Sequence, residues 1–122
     1  MHLNHLDLSV PDVAAAASFF ESAFDFTLLQ TKGRDGMAIL RGSAGFTLVL
    51  TRAAEPCYPK TFHIGFLQDS EQAVHNAYAR VTAAGVAVAN PPALMRDSFG
   101  FYCHVPGGSI LVEVSYRPPT QD

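Results

Sequence analysis

Clustered positive charge is missing from this chain. Its eight lysines and arginines are scattered singly along 122 residues, and the net charge is -3 with a pI near 5.9. Holding a phosphate backbone takes a basic stripe, so nucleic acid is excluded as a partner. Long apolar runs are missing too: none approaches the roughly 18 residues that a membrane span needs. The N-terminus has no basic segment leading into an apolar one. These absences predict a cytoplasmic protein with no membrane attachment. Cysteine is scarce, and Cys57 and Cys103 lie in no metal or redox spacing. They read as buried thiols in a reducing compartment, with no disulfide between them.

What is present is the material for a core. Hydrophobic residues make up 48% and charged residues 16%, which suits one compact domain over residues 1–122. Residues 2–10 alternate, with Leu6, Leu8 and Val10 on one face and Leu3, His5, Asp7 and Ser9 on the other. That is a half-buried strand with a polar working face. Pro11 and Asp12 open a helix over 12–24, where Val13, Ala16, Phe20 and Phe24 form an apolar stripe. Strands follow at 26–31, 37–41 and 46–51, separated by polar or glycine turns. Residues 52–60 carry Pro56 and Pro59, cannot hold regular structure, and read as a linker.

The second half repeats this order. A strand at 61–67 leads to a cap at Asp69 or Ser70 and a second helix, which Gly85 ends. A short strand at 86–89, a proline-containing loop at 90–98, and a hairpin of strands 99–105 and 109–116 around Pro106-Gly107-Gly108 complete it. The segment 117–122 reads as a frayed end. A shift of 58 residues carries His5 to His63, Asp12 to Ser70, Ala16 to Val74, Phe20 to Tyr78 and Ala23 to Val81. Histidine, cap and helix stripe therefore repeat together, giving two βαβββ units at about 2–52 and 61–116.

This pattern resembles the vicinal oxygen chelate superfamily, which includes glyoxalases, extradiol dioxygenases, fosfomycin-resistance thiol transferases and bleomycin-resistance proteins. The likeness rests on Asn4-His5-Leu6, on Phe62-His63-Ile64-Gly65-Phe66, and on Pro106-Gly107-Gly108 followed by Val112-Glu113-Val114. It implies an α+β fold in which two tandem βαβββ units form a half-open mixed β-sheet cleft with helices outside. It also implies a divalent metal at the cleft floor, held by His5, His63 and Glu113, and a homodimer.

Two imidazoles and a carboxylate from three strands leave coordination positions open for substrate oxygens. They suit Fe, Mn, Ni or Zn, and the lack of a thiolate ligand argues against a closed structural zinc site. In the family pattern the glutamate falls six residues after the turn proline, whereas Glu113 falls seven after Pro106. A one-residue slip inverts a strand's faces. Alternation nonetheless groups Leu111, Glu113 and Ser115 on a polar face, opposite Ile110, Val112 and Val114. By the same alternation Asp7 and Ser9 are candidate substrate contacts beside His5. Tyr102 and His104 share a face of the seventh strand as candidate catalytic groups. The plain alternative is that His5 and His63 are hydrogen-bonded sheet residues and His104 is a solvated one.

The named activities differ in fit. The fourth strand, Phe46-Thr47-Leu48-Val49-Leu50, has no glutamate, which disfavours the four-ligand site of glyoxalases. Asp7 would repel a phosphonate, which disfavours fosfomycin. Extradiol enzymes share the two-histidine, one-glutamate set but are commonly twice this length. The expectation is a small metal-dependent enzyme acting on a small molecule that chelates through neighbouring oxygens, by lyase, isomerase or dioxygenase chemistry. Its rival is a metal-free binding or drug-sequestering protein of the bleomycin-resistance type. An orphaned regulatory domain is a third possibility.

Overall fold

Alternating strands and one amphipathic helix per repeat leave each half with one face to bury and one to expose, and the structure uses that twice. The computed structural model describes residues 1–119 and forms two compact units, one over residues 1–57 and one from Tyr58 onward. Each is a βαβββ unit with its own core.

In the first unit β1 (His5–Val10) leads to α1 (Val13–Phe24), then β2 (Thr27–Lys32), β3 (Met37–Arg41) and β4 (Thr47–Arg52). The sheet runs β1-β4-β3-β2, parallel between β1 and β4 and antiparallel elsewhere. Asp12, in extended conformation, caps α1 by accepting from the Ala15 N–H at 3.0 Å, satisfying one of the helix's orphan donors. The helix packs on β2, β3 and β4. Val13, Ala16, Phe20 and Ala23 lie buried along that stripe, and full burial of a side chain such as Phe20 is worth about 1.5–3 kcal/mol. Phe24, expected in the stripe, is only half-buried. Its ring meets Phe19 edge-on at 5.4 Å. β1 starts at His5, three residues later than expected, because its partner β4 starts at Thr47, whose N–H reaches the Asn4 carbonyl at 2.9 Å. β2, at the sheet's edge, is exposed throughout and its pairing slips between Leu28 and Gln30.

The second unit comprises β5 (His63–Gln68), α2 (Glu71–Ala83), β6 (Ala93–Met95), β7 (Ser98–His104) and β8 (Leu111–Tyr116). Its sheet runs β5-β8-β7-β6, with β5 parallel to β8. Ser70, not Asp69, is the cap: its Oγ accepts from the Ala73 N–H at 3.0 Å. Gly85, at φ +74°, turns the chain out of α2, a conformation that costs glycine least. Val74, Ala77 and Val81 of α2 are buried, as are Phe101, Val112 and Val114 of the sheet beneath.

The expected strand at 86–89 is corrected. Val88 makes a single bridge to Cys103, flanked by Ala89 N–H to the Tyr102 carbonyl at 2.9 Å and His104 N–H to the Ala87 carbonyl at 3.3 Å. Pro91 and Pro92 have no N–H to continue that ladder. The chain instead pairs again beyond them, as β6, inside the expected loop, and Arg96 at φ 41° turns it back into β7. The β7–β8 turn takes four residues, 106–109: Val105 N–H donates to Ile110 carbonyl at 3.0 Å and Gly108 N–H to Val105 carbonyl at 2.9 Å. Of the expected frayed end, Arg117 to Pro119 carry no helix or strand, and the rest lies outside the described residues. No helix among the described residues is long and apolar enough to cross a membrane.

Both cysteines are free, but only Cys103 is buried; Cys57 is exposed, in the proline-bearing segment between β4 and β5. Burial pushes the Cys103 thiol up to about 12. A thiol reagent at pH 8 is therefore expected to modify one of the two cysteines in the native protein, and Cys57→Ser is expected to abolish the reaction; modification that persists in that variant would contradict the burial. Gly100 is a second constraint, because a Cβ there would lie 2.1 Å from the Val114 carbonyl oxygen. Gly100→Ala is expected to lower stability by about 1–3 kcal/mol in urea denaturation, as overpacking does.

Candidate functional site

Residues paired in register share a sheet face. In the second unit β8 is the middle strand of three, with Gly65 of β5 opposite Glu113 on one side and Tyr102 of β7 opposite it on the other. His63 lies two residues before Gly65 on the same face. Glu113 therefore turns away from α2, whose side is occupied by the fully buried Val112 and Val114. The four-residue turn absorbs the extra position after Pro106, and the alternation expected for Leu111, Glu113 and Ser115 holds.

Tyr102 and Glu113 meet on this face, and the His63 ring stands near that of Tyr102. Tyr102 Oη–H donates to Glu113 Oε1 at 2.7 Å, and Ser115 Oγ–H donates to Oε2 at 3.4 Å. A Cβ on Gly65 would lie 3.8 Å from Oε2, so this oxygen is the one on the Gly65 side. His63 Nδ1–H donates to the Thr61 carbonyl at 2.9 Å. A carbonyl only accepts, so this bond assigns the proton to Nδ1 and leaves the Nε2 lone pair for a metal or a proton. Strands two spacings apart stand about 9.5 Å from each other. The His63 and Tyr102 rings nonetheless approach to 6.5 Å at 77°, because both lean over β8. The Tyr102 hydroxyl is held above its ordinary value of 10, first by the hydrogen bond to Glu113, then by burial and by that carboxylate's negative charge.

The first unit repeats part of this. His5 Nδ1–H donates to Asn4 Oδ1 at 2.8 Å, again leaving Nε2 open. Asp7, two residues on, accepts from Thr51 Oγ–H through Oδ1 at 2.8 Å. Ser9 follows on the same face, half-buried. The counterpart of Glu113 is Val49, opposite Asp7. The structure thus groups His63, Tyr102 and Glu113, and separately His5, Asp7 and Ser9. His104 shares the Tyr102 face, opposite Leu111, and borders a depression of about 370 Å³ with residues 84–87 and 105–108. Among the described residues, no three His, Cys, Asp or Glu side chains are grouped so as to hold a metal ion. Sequence reasoning missed Gly65, Thr51, Thr61 and Ser115 as supporting groups. The repeat offset, which sets Gly65 against Asp7, was the available signal for the first.

Residues 2–109 match the model of the Glyoxalase/Bleomycin resistance protein/Dioxygenase superfamily. The chain belongs to this superfamily. The matched span includes His5, His63, Tyr102 and His104 and ends before β8. Among the superfamily's solved structures, one of a possible glyoxalase from Bacillus cereus is 40% identical with a TM-score of 0.82, covering 94% of this chain and 98% of that one. The uncharacterized protein PA2024 of Pseudomonas aeruginosa is 30% identical over 96% of this chain and 89% of its own length. The fosfomycin resistance protein FosX of Listeria monocytogenes, at 20% identity and a TM-score of 0.78 over 97% of this chain and 94% of that one, shares the fold.

Because Glu113 raises the Tyr102 pKa, one of the four tyrosines is expected to titrate above pH 10 in absorbance at 295 nm. Glu113→Gln is expected to lower it. The sign follows from linkage: a raised folded-state pKa adds stability that is complete below pH 10 and is lost as pH rises through the folded value.

Proposed function

We propose that this chain is a small divalent-metal-dependent enzyme whose substrate chelates through neighbouring oxygens, by lyase, isomerase or dioxygenase chemistry. The observation that carries the reading is the parallel state of the two strand histidines. Each lies on the exposed face of its sheet with Nδ1–H tied to an oxygen just before it in the chain and Nε2 left open. Outer-shell oxygens fix metal-ligating histidines in this way. The residues fit a cation in two further respects: Glu113 supplies a carboxylate on the face of His63, and the missing side chain at Gly65 clears the space beside it.

The proposed ligands are His5, His63 and Glu113, a donor set that suits Fe, Mn, Ni or Zn. Such an ion, when bound, acts as a Lewis acid on substrate oxygens. The chain's own residues supply the rest. Asp7, oriented by Thr51, and Ser9 contact the substrate, and the Asp7 charge disfavours phosphonates. His104 is the group offered for proton transfer. A homodimer is part of the same proposal.

A second reading has its own observation. The Tyr102 hydroxyl satisfies Glu113 Oε1 without any metal, as suits a metal-free binding protein of the bleomycin-resistance type, whose ligand would stack on Tyr102.

Metal analysis of untagged protein separates the two. The enzyme reading expects about one ion per chain, with affinity falling in His5→Ala, His63→Ala and Glu113→Ala by more than the roughly 10–100-fold typical of outer partners. Stoichiometric metal that none of these changes disturbs, or no metal at all, would sink it.

A further inference from the structure

We propose that Tyr102 is a positioning residue for Glu113: its hydroxyl holds Oε1, so that Oε2, on the Gly65 side, is the oxygen offered to a divalent cation. This rests on the metal reading above.

A glutamate's terminal torsion is broad and roughly two-fold, so an unrestrained carboxylate presents either oxygen in many orientations. The two oxygens of Glu113 are not equivalent. Oε1 accepts a short phenolic bond of 2.7 Å from β7, within the range for charge-assisted O–H···O⁻ contacts. Among the described residues, Oε2 receives the Ser115 hydroxyl alone, at 3.4 Å, beyond the usual 2.5–3.0 Å for such bonds. The weakly held oxygen is also the one beside Gly65, 3.8 Å from where a Cβ would stand. It therefore leans toward the strand that carries His63. With Oε1 engaged by the phenol, ligation is through one oxygen.

The repeat supports this assignment. The strand pair that holds Glu113 opposite Gly65 corresponds, in the first unit, to Asp7 opposite Val49. Each pair contains one carboxylate, and only the pair with glutamate has a bare partner. A glycine opposite Glu113 is not needed for turn geometry, since Gly65 is mid-strand with no left-handed φ. It costs strand propensity and leaves the ground beside Oε2 without a side chain. Tyr102, named from the sequence as a catalytic group, thereby acts through Glu113, keeping its own proton in the bond to Oε1.

The test uses Co(II) as the probe, with untagged full-length protein, visible absorption and calorimetry. Tyr102→Phe is expected to weaken Co(II) binding about 10–100-fold and to alter the cobalt absorption bands, while the protein stays folded. In metal-free protein, side-chain couplings measured by NMR are expected to show one Glu113 rotamer in the wild type and averaging in Tyr102→Phe. Gly65→Ala, whose Cβ makes an ordinary contact and leaves the fold intact, is expected to weaken Co(II) as well. Unchanged affinity and bands in Tyr102→Phe, with wild-type protein binding Co(II), overturn the positioning role and leave the metal reading standing. Wild-type affinity in Gly65→Ala overturns the assignment to Oε2. Wild-type protein that binds no Co(II) overturns the metal reading, and this proposal with it.

Discussion

The site depends on the register of one strand. β8 lies parallel to β5 and antiparallel to β7, so a single residue's slip would turn Glu113 toward α2 and bring Val112 or Val114 to the open face. Three features set against that slip are independent of one another. The four-residue turn fixes where β8 begins, the buried valines gain only with their present face inward, and Gly100 lets β7 pass so close to Val114 that no side chain fits there. The carboxylate is thus positioned by apolar packing on the opposite side of its own strand.

The elements themselves were readable because their signals are local. Asp12 and Ser70 announce helix starts, the apolar stripes have helical spacing, and strands alternate with period two. The repeat offset by itself relates His5 to His63. Errors arose where a local signal competed with pairing. Residues 86–89 have strand composition, yet Pro91 and Pro92 confine them to one bridge, and the ladder resumes at Ala93. Cys57, outside any metal or redox spacing, reads as a buried thiol, but it lies exposed in the segment between β4 and β5. The Tyr102–Glu113 bond was illegible because it spans strands, and cross-strand partners are known only once turn length has set the register. The sequence offered both residues on the right kind of face without showing that they touch.

The two units also show how a duplicated element diverges under one geometry. Histidine and helix cap are retained in both, with the cap provided by aspartate in one and serine in the other. The acidic group has moved across the strand pair, to β1 in the first unit and to β8 in the second. In each it is met by a hydroxyl, from Thr51 or Tyr102, that restricts it. Similar polar capacity is thereby kept on both sheets with different reach: aspartate stays near its backbone, while glutamate extends over its neighbour.

The slip in pairing within β2 has a consequence for how the protein behaves in a crowded solution. An edge strand presents unpaired N–H and C=O groups that another chain can extend into a continuous sheet. β2 is exposed along its whole length and carries two adjacent leucines, the profile of a strand that invites such addition. The irregularity between Leu28 and Gln30 breaks the even spacing that an incoming strand must match, and Lys32 puts a charge at the strand's end. The fold thus guards its most vulnerable border with a misfit.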